Sequence, residues 1–404
     1  MRPEVIVVGL GSMGAAAAYQ LARRGVRVLG VDRFAPPHPQ GAHTGGSRII
    51  RMAYAEGASY VPLLRRAYEL WREVERAAEI DLLRPSGGLM LGRPESSTVS
   101  GALATALAHG LDHELLDAAQ IRRRFPVFAP ADEEVGVYEE VAGILRPEAA
   151  VTALLDLAAG AGAELRYGVR VTGWRAGAGR VTVETPDGEV TAERLVLCPG
   201  AGAGDLLADL PVPFRVERRV QHYWATPGEE FAPDRCPVWI WASGPDVAAY
   251  GMPATDPPRD WADGTPVVKA AFHTGDGQPH PADDLGEVRP SEVRSMLEWI
   301  TPRLPTLPGS HRLGGRPCRY TLTPDEHFVL GPYPGRQNVT VAAGFSGHGF
   351  KFVPVIGEIL ADLAQHGVTG HQIELFAPDR FSRPAPATRP SPRPEPGTAR
   401  PGAR

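Results

Sequence analysis

The first part of the chain changes its hydrophobic period twice. A continuous apolar run, Val5–Val8, gives way to Gly9-Leu10-Gly11-Ser12-Met13-Gly14, then to a small-residue stretch, Ala15–Arg24, and to a second run, Val26–Asp32. Short apolar runs around a longer helix-compatible stretch predict a βαβ opening. Farther on, Val61, Leu64, Tyr68, Trp71 and Val74 fall at helical spacing, which predicts an amphipathic helix over 60–80. A further helix is expected over Glu148–Ala159, followed by β runs at Glu164–Trp174, Arg180–Glu184 and Arg194–Cys198. Between 215 and 275, alternating stretches broken by Pro and Gly predict a mainly antiparallel sheet shaped around a pocket. A strand (Val339–Ala343), a glycine loop and a helix (Val353–His366) close the body.

Composition narrows the class. The 404 residues, 43% hydrophobic and 22% charged, suffice for a large core in two to three domains. The net charge of −5 argues against a nucleic-acid partner. No apolar run is long enough for a membrane span, and the chain opens directly into a strand-like run with no signal sequence, so a cytoplasmic protein is expected. The cysteines, at 198, 236 and 318, are too far apart for a disulfide framework or zinc cluster, so no metal is expected. Residues 383–404 carry seven prolines and five arginines against one acid, the composition of a disordered tail.

The opening motif fits G-x-G-x-x-G. It follows a β run, opens a helix and is followed by an acid, Asp32, 23 residues beyond Gly9. Gly9 would make the tight turn, Gly11 would admit a pyrophosphate to the backbone, and Gly14 would let helix and strand pack closely. The helix N-terminus, with Ser12 and Met13, would face the phosphates, and Asp32 the ribose hydroxyls. The motif indicates a dinucleotide without separating FAD from NAD. The fold class is therefore α/β (α+β overall): a Rossmann-type domain (1–85, 142–215 and 310–382) interleaved with a mainly antiparallel β-sheet substrate domain (86–141 and 216–309). Asp32 leads into a polar, glycine-rich stretch, Pro36–Ser47, ending in Arg48-Ile49-Ile50-Arg51. Arginines at i and i+3 would share a helix face and point at one anionic or redox centre; two surface arginines flanking a core Ile pair remain the plainer alternative.

Two other segments place ionisable groups on apolar strands. In Val267–His273, period two puts Lys269, Ala271 and His273 on one face, its ends about 13 Å apart. Buried Lys and His are costly unless they are paired or functional. A strand at Cys318–Thr321 puts Cys318 and Tyr320 on the same side.

With Gly9–Gly14, the stretch Gly46-Ser47-Arg48-Ile49-Ile50-Arg51-Met52-Ala53-Tyr54, Cys318-Arg319-Tyr320-Thr321 with Asp325-Glu326-His327-Phe328, and Gly344-Phe345-Ser346-Gly347-His348-Gly349-Phe350-Lys351-Phe352, residues 4 to 375 resemble the monomeric sarcosine oxidase and N-methyltryptophan oxidase family of D-amino-acid-oxidase-like flavoproteins. The resemblance implies FAD held covalently through Cys318, with Ser47 and the loop carrying Gly347 and His348 also at the cofactor. It implies Arg51 and Lys351 around a substrate carboxylate, with Tyr320 beside them. Lys269 would promote oxygen reduction, His273 and Tyr250 would line the amine site, and Arg48 would sit near the flavin ring. The implied reaction is oxidative demethylation of an N-methyl amino acid by a monomeric enzyme, giving amino acid, formaldehyde and hydrogen peroxide. Oxidation of a cyclic secondary amino acid such as pipecolate or proline, or dehydrogenation with a carrier as acceptor, are the alternatives. The sequence departs from the family pattern at Thr44, Gly45, Gly46 and Pro324, and Trp239 and Trp241 fall in the segment expected to shape the substrate side of the pocket.

Overall fold

The computed structural model describes residues 2–382 except 178, 226–227, 245–246, 259–260, 262–263, 275–277, 280–284 and 309–311. The expected tail, 383–404, lies outside the described residues.

A six-stranded sheet carries the nucleotide-type segments, in the order Val329–Tyr333, Arg336–Ala343, Arg194–Leu197, Val5–Val8, Val28–Asp32, Glu164–Tyr167. All its pairings are parallel except the edge hairpin 329–343. Val5–Val8 is buried throughout, which suits a parallel strand covered on both faces. On one face pack the helices Ser12–Ala22, Val61–Ala78, Pro147–Gly160 and Val353–His366. On the other lies a three-stranded antiparallel sheet, Gly173–Gly177, Arg180–Thr185 and Gly188–Ala192.

Small residues set the depth of this packing. Ala15 to Ala18 are fully buried, and a Cβ placed on Gly357 would lie 2.6 Å from the Ala16 backbone. The helices Ser12–Ala22 and Val353–His366 therefore meet nearly backbone to backbone. The first helix begins inside the glycine motif, at Ser12 rather than Ala15, which brings its N-terminus to the loop. The run expected to be continuous over Glu164–Trp174 is divided. Gly168, at φ +76°, turns the chain out of the central sheet, and the next strand starts at Gly173.

A nine-stranded mixed sheet forms the second layer, running from Gln278–Pro279 through Arg215–Ala225, Val267–Phe272, Ala248–Thr255, Val238–Ala242, Gly88–Gly92 and Val135–Glu139 to Glu114–Asp117, with Arg312–Leu322 paired to Arg215–Ala225. Its pairings are antiparallel except that of Val238–Ala242 with Gly88–Gly92. Here one expectation is corrected. Trp239 and Trp241 face away from the cavity and pack with Phe128 and Trp299. Ile240, between them, faces the cavity with Tyr250 and Met252. The strand alternates as expected, but the large rings take the side covered by the helix Pro290–Ile300, where their area can be fully buried. Among the described residues, no helix is long and apolar enough to cross a bilayer.

Because the Gly357 contact is to backbone, Gly357→Val is expected to lower unfolding free energy by about 1–3 kcal/mol, read as an earlier urea midpoint. Gly370→Ala, where no atom lies within 4 Å, is expected to stay within about 0.5 kcal/mol of wild type.

Candidate functional site

A cavity of about 820 Å³ lies between the two layers. Its wall includes Gly9, Gly11, Ser12, Met13 and Asp32 from the βαβ opening, and Ile240, Tyr250, Met252, His273 and Tyr320 from the second sheet. The loop Gly344–Lys351 supplies a further part. A Cβ on Gly14 would sit 1.7 Å from the Gly9 carbonyl oxygen, so the turn closes only with glycine there. Gly11 is the N-cap of the helix Ser12–Ala22 and has no side-chain cap, which leaves its first-turn N–H groups directed at the cavity. The Asp32 carboxylate accepts N–H bonds from Leu10 (2.6 Å) and Phe34 (2.8 Å), which fix it while leaving acceptor sites for hydroxyls.

Residues 42–47 form a strap along the cavity. Gly45 (φ +105°) and Gly46 (φ +79°) bend it so that carbonyls face inward. Arg48 donates to the carbonyls of Ala42 (2.7 Å), Thr44 (2.6 Å) and Ser47 (2.7 Å). Lys269, with no exposed surface, donates to those of Gly45 (3.2 Å) and Ser47 (2.5 Å). Burial and then repulsion from Arg48 pull the Lys269 ammonium well below the usual lysine range, while Glu148 and Cys318 act in the opposite direction, and the two carbonyls it donates to favour its charged form. His43, in the strap and in the cavity wall, is pushed down to about 3 by burial, His38 and Arg48, and is neutral. Its Nε2 is buried and, among the described residues, has no partner. Cys318 is a buried free thiol within electrostatic reach of Arg48, Tyr250 and Lys269.

The second pair of cations shares an aromatic platform. The Arg51 guanidinium lies 4.5 Å from the centroid of the Tyr54 ring and the Lys351 ammonium 5.1 Å from it. Arg51 donates from one nitrogen to both carboxylate oxygens of Glu56, each at 2.7 Å. Lys351 donates to the His348 carbonyl (2.8 Å), and burial beside Arg51 brings it down to about 7. Burial also lowers His348 to about 3. As a neutral ring it donates from Nε2 to the Glu326 carbonyl (3.0 Å) and accepts at Nδ1 from the Tyr54 hydroxyl (2.5 Å). The N–H groups of Met52 and Ala53 donate to Glu139 and fix the turn after Arg51.

This turn corrects the expectation that Arg48 and Arg51 share a helix face. Arg48–Ile50 is a short strand paired with Gly143–Leu145. Arg51 follows its end, where the chain turns, so Arg48 points to the strap and Arg51 to Glu56. Lys269 and His273 keep the one face expected of them: Lys269 pairs with Met252 and Ala271 with Tyr250, both of which line the cavity. His273 is open to the cavity, whereas Lys269 is covered by the strap. His273, lowered to about 4 by burial, has Nδ1 3.3 Å from the Tyr320 hydroxyl and an edge-to-face contact with Tyr250. Glu56, Tyr54, Glu139, Glu148 and His43 were not singled out from the sequence. Glu56 alone left a signal there, an acid five residues past Arg51.

The profile of the family described as FAD dependent oxidoreductase (DAO) matches residues 4–363. The chain belongs to this family. It is 47% identical over 388 residues to monomeric sarcosine oxidase of Streptomyces avermitilis, covering 95% of this chain and 99% of that protein. It is 36% identical over 384 residues to N-methyl-L-tryptophan oxidase of Escherichia coli, covering 94% and 100%. The structure of NikD, an amino acid oxidase essential for nikkomycin biosynthesis, superposes with a TM-score of 0.80 at 29% identity, covering 94% of this chain and 98% of that one. As an FAD dependent oxidoreductase, the chain offers donors and acceptors that suit the cofactor: an uncapped helix N-terminus for phosphates, Asp32 for ribose, and the orphaned His43 nitrogen in the cavity wall.

The buried neutral histidines make stability depend on pH. Their folded values lie below the unfolded one, so the unfolded chain binds protons first and stability falls as pH drops below about 6.5. His222, outside the cavity lining, is likewise held at about 3 by burial and Arg312. Urea melts at pH 7.5 and 5.5 are expected to show His222→Gln losing about 1.4 kcal/mol less than wild type over that interval.

Proposed function

We propose that this chain is an FAD-dependent oxidase of N-methyl amino acids, converting substrate, water and oxygen to the free amino acid, formaldehyde and hydrogen peroxide. The observation that carries this reading is the pair of buried cations, Arg51 and Lys351, on one tyrosine ring within the cavity that also holds the dinucleotide motif. Two cations select a carboxylate, and Arg can hold it bidentately. Here Glu56 takes one Arg51 nitrogen with both its oxygens while the other donates to the Ala53 carbonyl, so a substrate carboxylate would have to share or replace Glu56 to gain the bidentate contact.

Bound FAD supplies the two-electron acceptor for a hydride equivalent from the N-methyl carbon; the imine so formed hydrolyses in water to amine and formaldehyde. Only an amine with a free lone pair loses hydride readily. Arg51 and Lys351 disfavour a second positive charge nearby, and the neutral His273, with Tyr320 and Tyr250, lines the site where the unprotonated amine sits. Activity accordingly rises with pH through the pKa of the bound amine. Ile240 and Met252 offer apolar surface to the substrate side chain. Cys318 would be the attachment point for the flavin, and Lys269 would be the cation that stabilises charge developing on oxygen. Gly347 and His348 line the same cavity and would hold the cofactor from the opposite loop. A single copy carries every group named, in keeping with a monomer.

Peroxide production across a panel of N-methyl and cyclic imino acids tests the substrate class: sarcosine or another N-methyl amino acid is expected to lead. A panel headed by proline or pipecolate overturns it. Arg51→Ala and Lys351→Ala are each expected to raise KM for the amino acid by about 10- to 100-fold, the cost of losing a charge-assisted contact. After acid denaturation, yellow colour is expected to stay with the wild-type polypeptide and to leave Cys318→Ser. Colour lost from both contradicts the attachment.

A further inference from the structure

We propose that Glu148 is a positioning residue that sets Lys269 for the reaction with oxygen, acting through the Gly45–Gly46 peptide unit. The inference rests on the reading of Lys269 given above.

Glu148 lies in the first turn of the helix Pro147–Gly160, where an anion is favoured by the helix dipole. One of its oxygens, Oε1, accepts from the N–H of Gly45 (2.7 Å) and that of Gly46 (3.0 Å). The carbonyl of Gly45 accepts from Lys269 (3.2 Å), from the Tyr223 hydroxyl (3.2 Å) and from the Ser47 N–H (3.0 Å). The Gly45 carbonyl and the Gly46 N–H belong to one planar peptide group and point in opposite directions. That group is therefore clamped with its positive end on a carboxylate and its negative end on an ammonium. Glycines at positive φ flank it on both sides, so no side chain resists rotation of the plane. A flipped peptide would turn an N–H toward the buried ammonium and a carbonyl toward Glu148. The carboxylate thus selects the orientation in which Lys269 is solvated, without touching Lys269. Arg48 bonds to other carbonyls of the strap, those of Ala42, Thr44 and Ser47, so the Gly45 carbonyl serves Lys269 apart from it.

The test separates the two half-reactions. Wild-type, Glu148→Ala, Glu148→Gln and Lys269→Met holoenzymes are reduced anaerobically with dithionite and mixed with oxygenated buffer, and reoxidation is followed by flavin absorbance. Reduction by sarcosine is measured separately without oxygen, and hydrogen exchange of the peptide spanning 42–51 is measured by mass spectrometry. For Glu148→Ala, reoxidation is expected to slow by about tenfold or more, reduction to stay within about threefold, and exchange of 42–51 to rise. Glu148→Gln keeps an oxygen acceptor in place and is expected to recover most of the reoxidation rate and the exchange protection. Unchanged reoxidation in Glu148→Ala, equal loss in both half-reactions, or unchanged exchange overturns the role of Glu148. If Lys269→Met slows reoxidation and Glu148→Ala does not, this proposal alone fails. If Lys269→Met also reoxidises at the wild-type rate, the reading of Lys269 fails with it.

Discussion

The site depends on how two cations beside the cavity are solvated. Lys269 is buried and Arg48 is half-buried in the cavity wall, and among the described residues their hydrogen bonds go to backbone carbonyls of one strap rather than to carboxylates. A carboxylate in direct contact would neutralise them. Carbonyl dipoles instead hold the charges in place and leave their fields available to an electron-accepting ring. At the other pair only Lys351 is held this way, by the Tyr54 ring and the His348 carbonyl; Arg51 is paired with the Glu56 carboxylate.

The fold supplies the rigidity this needs. The segment that carries the strap leaves the central sheet after Asp32, is bent by two glycines, and rejoins regular structure at Arg48–Ile50. Lys269 reaches it from the middle of a strand hydrogen-bonded on both sides. The loop Gly344–Lys351 runs from the central-sheet strand Arg336–Ala343 to the helix Val353–His366, which packs against Ala16. Each charged group is thus mounted on an element whose position is set by packing elsewhere.

What the sequence disclosed follows from the range of the interactions involved. The βαβ opening was legible because its turn, helix start and acid are local. Lys269 and His273 stood out because an apolar strand carrying charge is anomalous at short range. Arg48–Ile50 was misread because three residues are too few to show a period. Trp239 and Trp241 showed the right alternation, but alternation does not say which face meets the cavity; the position of the helix Pro290–Ile300 decides that. Glu148 is about a hundred residues from the peptide it holds, and Tyr54 bonds to His348 far along the chain. Such contacts exist only once the layers are assembled.

The central claim is that cations left uncancelled by carboxylates act on the flavin ring. The midpoint potential of the bound flavin measures their field directly. The account predicts a wild-type value above that of free FAD, lowered in Lys269→Met. A wild-type potential at or below that of free FAD, unmoved by the substitution, would contradict it.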